Sequence, residues 1–214
     1  MKTYKLFLII VFFYTLIQSS MQYLYFGDHI FYSSFEEQVS HSQIERIIET
    51  SQKMRWVGYA SFPVFVLFRV SFTAICLYTG LFFADLPARF SRIFRIALLA
   101  DFVFVLSALA KLIILIFFRE VSTLHDLQFQ PLSVLEFFPG ESFDTLLVYP
   151  LSLLNLFELG YFLVLAWLIR DLVNQESSER PLSFGKAFRL TGISYGSGLL
   201  LWVLVVLFIN LSLN

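Results

Sequence analysis

The sequence predicts an all-α polytopic membrane protein, a bundle of five transmembrane helices with short amphipathic or interfacial helices in its outer loops. Three observations carry this. The 214-residue chain is 58% hydrophobic and 19% aromatic, more apolar surface than a soluble domain of that size can bury. Five apolar runs, about 4–26, 62–84, 96–118, 150–169 and 187–209, approach the roughly 20 residues that cross a hydrocarbon core as a helix. Basic residues gather in alternate connecting segments, as they do where loops stay on the cytoplasmic side. Residues 1–214 therefore read as one integral membrane domain.

Lys2 and Lys5 precede the apolar run Leu6–Ile17, the beginning shared by a cleaved signal peptide and an uncleaved first helix. Ser19 and Ser20 are small enough for a cleavage site. The apolar stretch nevertheless continues through Met21, Tyr23, Leu24, Tyr25 and Phe26, which favours an uncleaved helix, with cleavage near residue 20 as the alternative. From Gly27 to Arg55 the chain is polar, and Ser42-Gln43-Ile44-Glu45 has the pattern of a capping box. A short amphipathic helix is expected there, with Ile44, Ile47, Ile48 and Ser51 on one face, lying on the membrane or on the other loop. His29 and His41 lack companions at ligand spacing, so no metal site is predicted.

The second run places Pro63 in a first turn, where its missing N–H leaves nothing unpaired, and carries Arg69. The linker Asp85–Arg95 spaces Arg89, Arg92 and Arg95 three apart and forms a cytoplasmic basic face. Asp101 and Lys111 lie in the third run. Between Arg119 and Asp144 comes an acidic loop whose apolar piece, Pro131–Phe138, is too short to span; its length and its Phe137 and Phe138 suit an interfacial or re-entrant helix. The fourth run, within Pro150–Arg170, carries Glu158, and a polar connection from Arg170 to Arg189 follows. In the fifth, Gly192-x-x-x-Gly196 offers a small-residue face for close helix packing. Cys76 stands alone, which excludes an intrachain disulfide and suits a small buried apolar residue.

Alternating five crossings from a cytoplasmic N-terminus puts Lys2, Lys5, Arg89, Arg92, Arg95, Arg170, Arg180, Lys186 and Arg189 inside. Only Arg46, Lys53, Arg55 and Arg119 then lie outside. Ten of the sixteen acids fall in the outer loops: Asp28, Glu36, Glu37, Glu45, Glu49, Glu120, Asp126, Glu136, Glu141 and Asp144. The orientation expected is N-terminus cytoplasmic and C-terminus outside, in a bacterial cytoplasmic (inner) membrane.

Arg69, Lys111 and Glu158 each lie seven or eight residues from an outer span boundary, about 10 to 12 Å deep at 1.5 Å per residue. They are expected to share one intramembrane polar cluster, completed by Asn155, Tyr161 and Ser107. Asp101, a second polar site, is expected nearer the inner surface, facing water or an arginine of the 85–95 linker. Such a cluster either sets helix register or binds an anion or relays ions, and two bases per acid would suit an anion.

A net charge of −1 gives no case for nucleic acid. His125-Asp126 is an adjacent pair without a nucleophile elbow, metal-binding helix or phosphate loop, so no catalytic residue, enzyme activity or cofactor is expected. Pro131-Leu132-Ser133, Pro150-Leu151-Ser152 and Pro181-Leu182-Ser183 each have Phe seven residues after the Pro, at Phe138, Phe157 and Phe188. With unequal intervals they read as a helix-starting device used three times.

Five helices, opposed termini and the pattern PLSLLNLFELGYFLVLAWLI…PLSFGKAFRLTGISYGSGLLLW resemble the Yip1-like membrane proteins, in particular short bacterial members, over about residues 57–211. That resemblance implies an integral membrane protein that organises membranes or partner proteins without catalysis. The function expected is a scaffold or accessory subunit of a membrane complex, in contact with membrane lipids and with a membrane-protein partner or a second copy. The alternative is a small transporter or channel component using Arg69, Lys111 and Glu158.

Overall fold

A computed structural model describes residues 2–36, 38–86, 88–138, 145–176 and 181–213. Among the described residues the protein is all-α, without strands. Its helices are α1 (Thr3–Tyr25), α2 (Asp28–Phe35), α3 (His41–Phe83), α4 (Phe90–Ala100), α5 (Phe102–Phe117), α6 (Thr145–Leu153), α7 (Leu156–Glu176) and α8 (Phe184–Leu213). Four stretches are long and apolar enough to cross a membrane: Thr3–Tyr25, His41–Phe83, Phe90–Phe117 and Phe184–Ser212. α7 has 21 residues, but each eighteen-residue stretch of it carries three charged side chains. Glu37, Pro139, Gly140, Glu141, Asp144 and Arg180 lie outside the described residues.

α3 corrects two expectations. The short helix and the second run are one continuous helix of 43 residues, and Pro63 sits in its interior, not in a first turn. The capping box lies two residues earlier than expected, at Ser40 and Gln43, with the Ser40 N–H donating to Gln43 Oε1 at 3.0 Å. Pro63 removes the i→i−4 bond that the Tyr59 carbonyl would accept; nearby, the Ser61 hydroxyl donates to the Gly58 carbonyl at 2.8 Å. The Ile44 and Ile48 face packs on α2 and the 121–129 loop, with Ile30, Phe31, Leu115 and Leu127, forming a small core apart from the main one.

The third of those four stretches starts at Phe90, six residues before the predicted boundary, and bends at Asp101. The bend is mild: Asp101 keeps right-handed helical dihedrals and its N–H donates to the Ala97 carbonyl at 3.0 Å. The fourth run departs further from expectation. Pro150 lies inside α6, and the chain breaks at Leu154–Asn155 before α7 begins. A loop covers the break, with the Val134 N–H donating to the Leu154 carbonyl (2.9 Å) and the Leu156 N–H to the Leu132 carbonyl (3.2 Å). Apolar surroundings tolerate interrupted helix only where its backbone groups find such partners. The Pro131–Phe138 segment that supplies them forms a single 3₁₀ turn, Val134–Phe137, rather than the expected helix. Of the three Pro-Leu-Ser echoes, only Pro181 stands just ahead of a helix.

In the bundle, α3 packs against α1, α4 and α8, and α7 against α4, α5 and α8. α4 lies between α3 and α7, whereas α5, beyond the bend, turns to α1 and α7. α3 and α8 approach closely where Gly80 meets Ser194 and Gly198 meets Cys76 and Phe72. The expected Gly192/Gly196 face is not that seam: Gly196 only touches Phe162 and Gly192 has nothing near it. Cys76 is half-buried in a groove beside the seam rather than enclosed.

At the loop end, the Asp126 carboxylate accepts from the N–H groups of Ser122 (3.0 Å) and Thr123 (2.8 Å) and from the Thr123 hydroxyl (3.0 Å). Chiefly the Thr123 N–H holds its pKa below the usual aspartate range. A depressed folded pKa means the turn's contribution is complete above the ordinary value of about 3.9 and is lost as pH falls through the lower folded value. Asp126→Asn is expected to speed amide hydrogen exchange at Ser122 and Thr123 at neutral pH without altering exchange in α8.

Candidate functional site

Arg69, on α3 between the buried Val66 and Val70, is held from two directions. Its Nε donates to Asp101 Oδ1 at 2.8 Å and its Nη2 to Asp101 Oδ2 at 2.9 Å, a two-pronged carboxylate contact. Nη2 also donates to the Tyr14 hydroxyl of α1 at 2.7 Å, and the guanidinium lies over the Phe104 ring, 4.4 Å from its centre. One side chain thus ties α1, α3 and the α4–α5 bend together. Asp101 is wholly enclosed, while the Arg69 side chain remains 35% exposed on its other edge.

Glu158 lies in the first turn of α7 because the break at Asn155 puts a helix start deep in the bundle. The Asn155 side-chain oxygen accepts the Glu158 N–H at 2.8 Å and so caps α7. The Tyr195 hydroxyl of α8 donates to Glu158 Oε1 at 2.9 Å, and the Tyr161 hydroxyl donates to Thr73 Oγ1 at 3.0 Å. Tyr161 packs between Phe104 (4.6 Å, tilted) and Tyr195 (5.4 Å, edge to face), joining the arginine pair to the glutamate through a layer of rings.

Arg69 and Glu158 both line one cavity of about 270 Å³, walled by aromatic side chains that include Phe68, Phe104, Tyr149, Tyr195 and Trp202. Among the described residues Arg69 Nη1 and Glu158 Oε2 have no protein partner, and neither is sealed from that space. A second hollow of about 700 Å³, almost wholly apolar, runs between α6, α7, α8 and the 132–137 loop, and it shares Leu153, Glu158 and Leu199 with the cavity.

The structure therefore regroups the predicted residues. Lys111 is not in the cluster: it lies near Phe129, 5.5 Å from the ring centre, with Arg119 over the same ring at 4.6 Å. Ten residues beyond Asp101, it is about 15 Å further along the helix and about 80° round it, which turns it to the 121–129 loop. Asp101, expected near the inner surface, is level with Arg69, since the earlier start at Phe90 moves it to mid-crossing. The cluster thus has one base and two acids in place of two bases and one acid. Asn155 and Tyr161 do contribute; Tyr14, Thr73, Phe104 and Tyr195 were not anticipated. A signal for the main pair existed: Arg69 and Asp101 lie sixteen residues either side of Asp85, so an antiparallel hairpin turning there sets them level.

Arg89, Arg92 and Arg95 stand exposed at the start of α4, and Arg92 Nη1 reaches Glu176 Oε1 of α7 at 2.8 Å. Among the described residues no three His, Cys, Asp or Glu side chains gather where they could hold a metal. Comparison with protein-family models, with curated proteins and with solved structures finds no match for this chain.

Proposed function

We propose that the protein is a non-enzymatic scaffold or accessory subunit of a membrane complex, crossing the inner membrane five times with its N-terminus cytoplasmic and its C-terminus outside. The observation that carries this is the inward use of charge. The enclosed Asp101 is satisfied by Arg69, and Arg69 by Asp101 and Tyr14, so the pair locks three crossings together. What faces outward is apolar and aromatic, with Phe12, Phe65, Phe82, Trp167, Leu200 and Phe208 all well exposed. A broad face of that kind suits lipid and a membrane-protein partner or second copy. The fourth crossing in this reading is α6 and α7 together, and the resemblance to Yip1-like proteins points the same way.

Mild-detergent purification of the tagged chain is expected to recover a stoichiometric membrane-protein partner or a homo-oligomer. Recovery of a stable monomer alone would sink the proposal. The orientation is tested on a Cys76→Ser background: a cysteine placed at Gln52 should react with an impermeant thiol reagent in intact cells, and one placed at Lys186 only after lysis. A small transporter or channel component is the second reading, favoured by the helix interruption at Asn155 and the cavity between Arg69 and Glu158.

A further inference from the structure

We infer that the aromatic cavity and the apolar hollow beside it together hold one zwitterionic phospholipid bearing a protonated amine, its head group between Arg69 and Glu158 and an acyl chain along α6, α7 and α8. The assignment rests on the chain being membrane-embedded and is independent of the scaffold role.

Charge decides the head group. Asp101 takes the Nε–Nη2 edge of the Arg69 guanidinium and Tyr14 the other bond from Nη2, leaving Nη1 as a donor in a pair that is already neutral. Glu158 offers Oε2 as an acceptor, since Tyr195 occupies only Oε1. A purely anionic ligand would gain Nη1 but face the Glu158 carboxyl. A purely cationic one would gain Glu158 but face the guanidinium. A head group with a phosphate and an ammonium satisfies both, and the rings of Tyr195 and Trp202 add a favourable wall for the ammonium.

Shape decides that the ligand carries a chain. The hollow and the cavity share Leu153, Glu158 and Leu199 among their lining residues, and the hollow is otherwise lined by Leu132, Phe137, Leu156 and Val203, with scarcely any polar atom. Water gains little in such a groove, whereas an alkyl chain gains about 0.8 kcal/mol for each methylene buried. The two hollows thus match the two halves of one amphiphile.

The test is native mass spectrometry of the full-length chain purified in micelles doped equally with phosphatidylethanolamine and phosphatidylglycerol. Wild type is expected to retain one phosphatidylethanolamine with a preference of about fivefold or more, roughly 1 kcal/mol. Glu158→Gln should bring the preference close to one while lipid still binds. Leu199→Trp, which plugs the junction, should abolish retention of both lipids with thermal stability kept. Glycerophosphoethanolamine, the head group without chains, should not displace the lipid. Equal retention of both lipids by wild type, or an unchanged preference in Glu158→Gln, would overturn the assignment. Displacement by the chainless head group would overturn the role of the hollow. None of these outcomes depends on recovering a protein partner, so this inference and the scaffold proposal fail separately.

Discussion

Asp101→Ala is expected to destabilise the protein by on the order of 3 kcal/mol, the lower end of what removing one partner of a buried ion pair costs. The lower end applies because the Arg69 side chain is 35% exposed along the cavity and can be partly solvated there. The loss arises less from the missing attraction than from the guanidinium left behind, since Tyr14 and the Phe104 ring do not neutralise it. Replacing both partners by apolar residues removes that burden, so Arg69→Met with Asp101→Leu should recover much of the stability lost in either single variant. Denaturant titration in detergent, followed by circular dichroism, measures wild type, Asp101→Ala, Arg69→Met, Asp101→Leu and the double variant. If Asp101→Ala unfolds at the wild-type midpoint, the pair is not what locks α1, α3 and α4–α5 together.

The second large effect is expected at the α3–α8 seam. A side chain at Gly198 would collide with Cys76, and one at Gly80 with Ser194, whose Cα belongs to the opposing helix. Overpacking of this kind costs typically 1 to 3 kcal/mol, and the upper part of that range is expected for Gly80→Leu, because the seam cannot open without moving a whole helix. Gly192→Ala is the control: nothing lies within 4 Å of its added Cβ, and it should be neutral or slightly stabilising as Gly leaves a helix interior. Equal effects at Gly80 and Gly192 would show that the seam is misplaced.

These glycines illustrate what local pattern could and could not convey. Gly192 and Gly196 have the sequence spacing of a packing motif, yet close approach depends on which face of α8 meets α3, and that phase is set by the partner helix. Gly80 and Gly198 are far apart in sequence and form no motif; only the antiparallel register of two helices brings both to one line. Lys111 failed for a related reason. Its depth was counted from a span boundary and not from its partners, and ten residues beyond Asp101 it lies about 15 Å past the Arg69 layer as well as turned away from it.

The expected role of Pro63 fell to continuity of the chain. A proline marks a helix start only if nothing upstream favours helix, and Ser40, Gln43 and the Ile44/Ile48 face start α3 more than twenty residues earlier. Conversely, no proline or glycine marks the break at Leu154–Asn155. It persists because Leu132 and Val134 pair with its backbone, contacts made between residues remote in the chain.

By itself, the sequence determined that this protein is helical and has stretches long and apolar enough to cross a membrane, because span length and mean polarity are sums over neighbours along the chain. It also determined that charges lie within those stretches. Which charges meet was decided only by the tertiary structure. Pairing depends on register and rotation between helices, and these are set by ring packing around Phe104, Tyr161 and Tyr195 and by the glycine seam, contacts among residues remote in the chain.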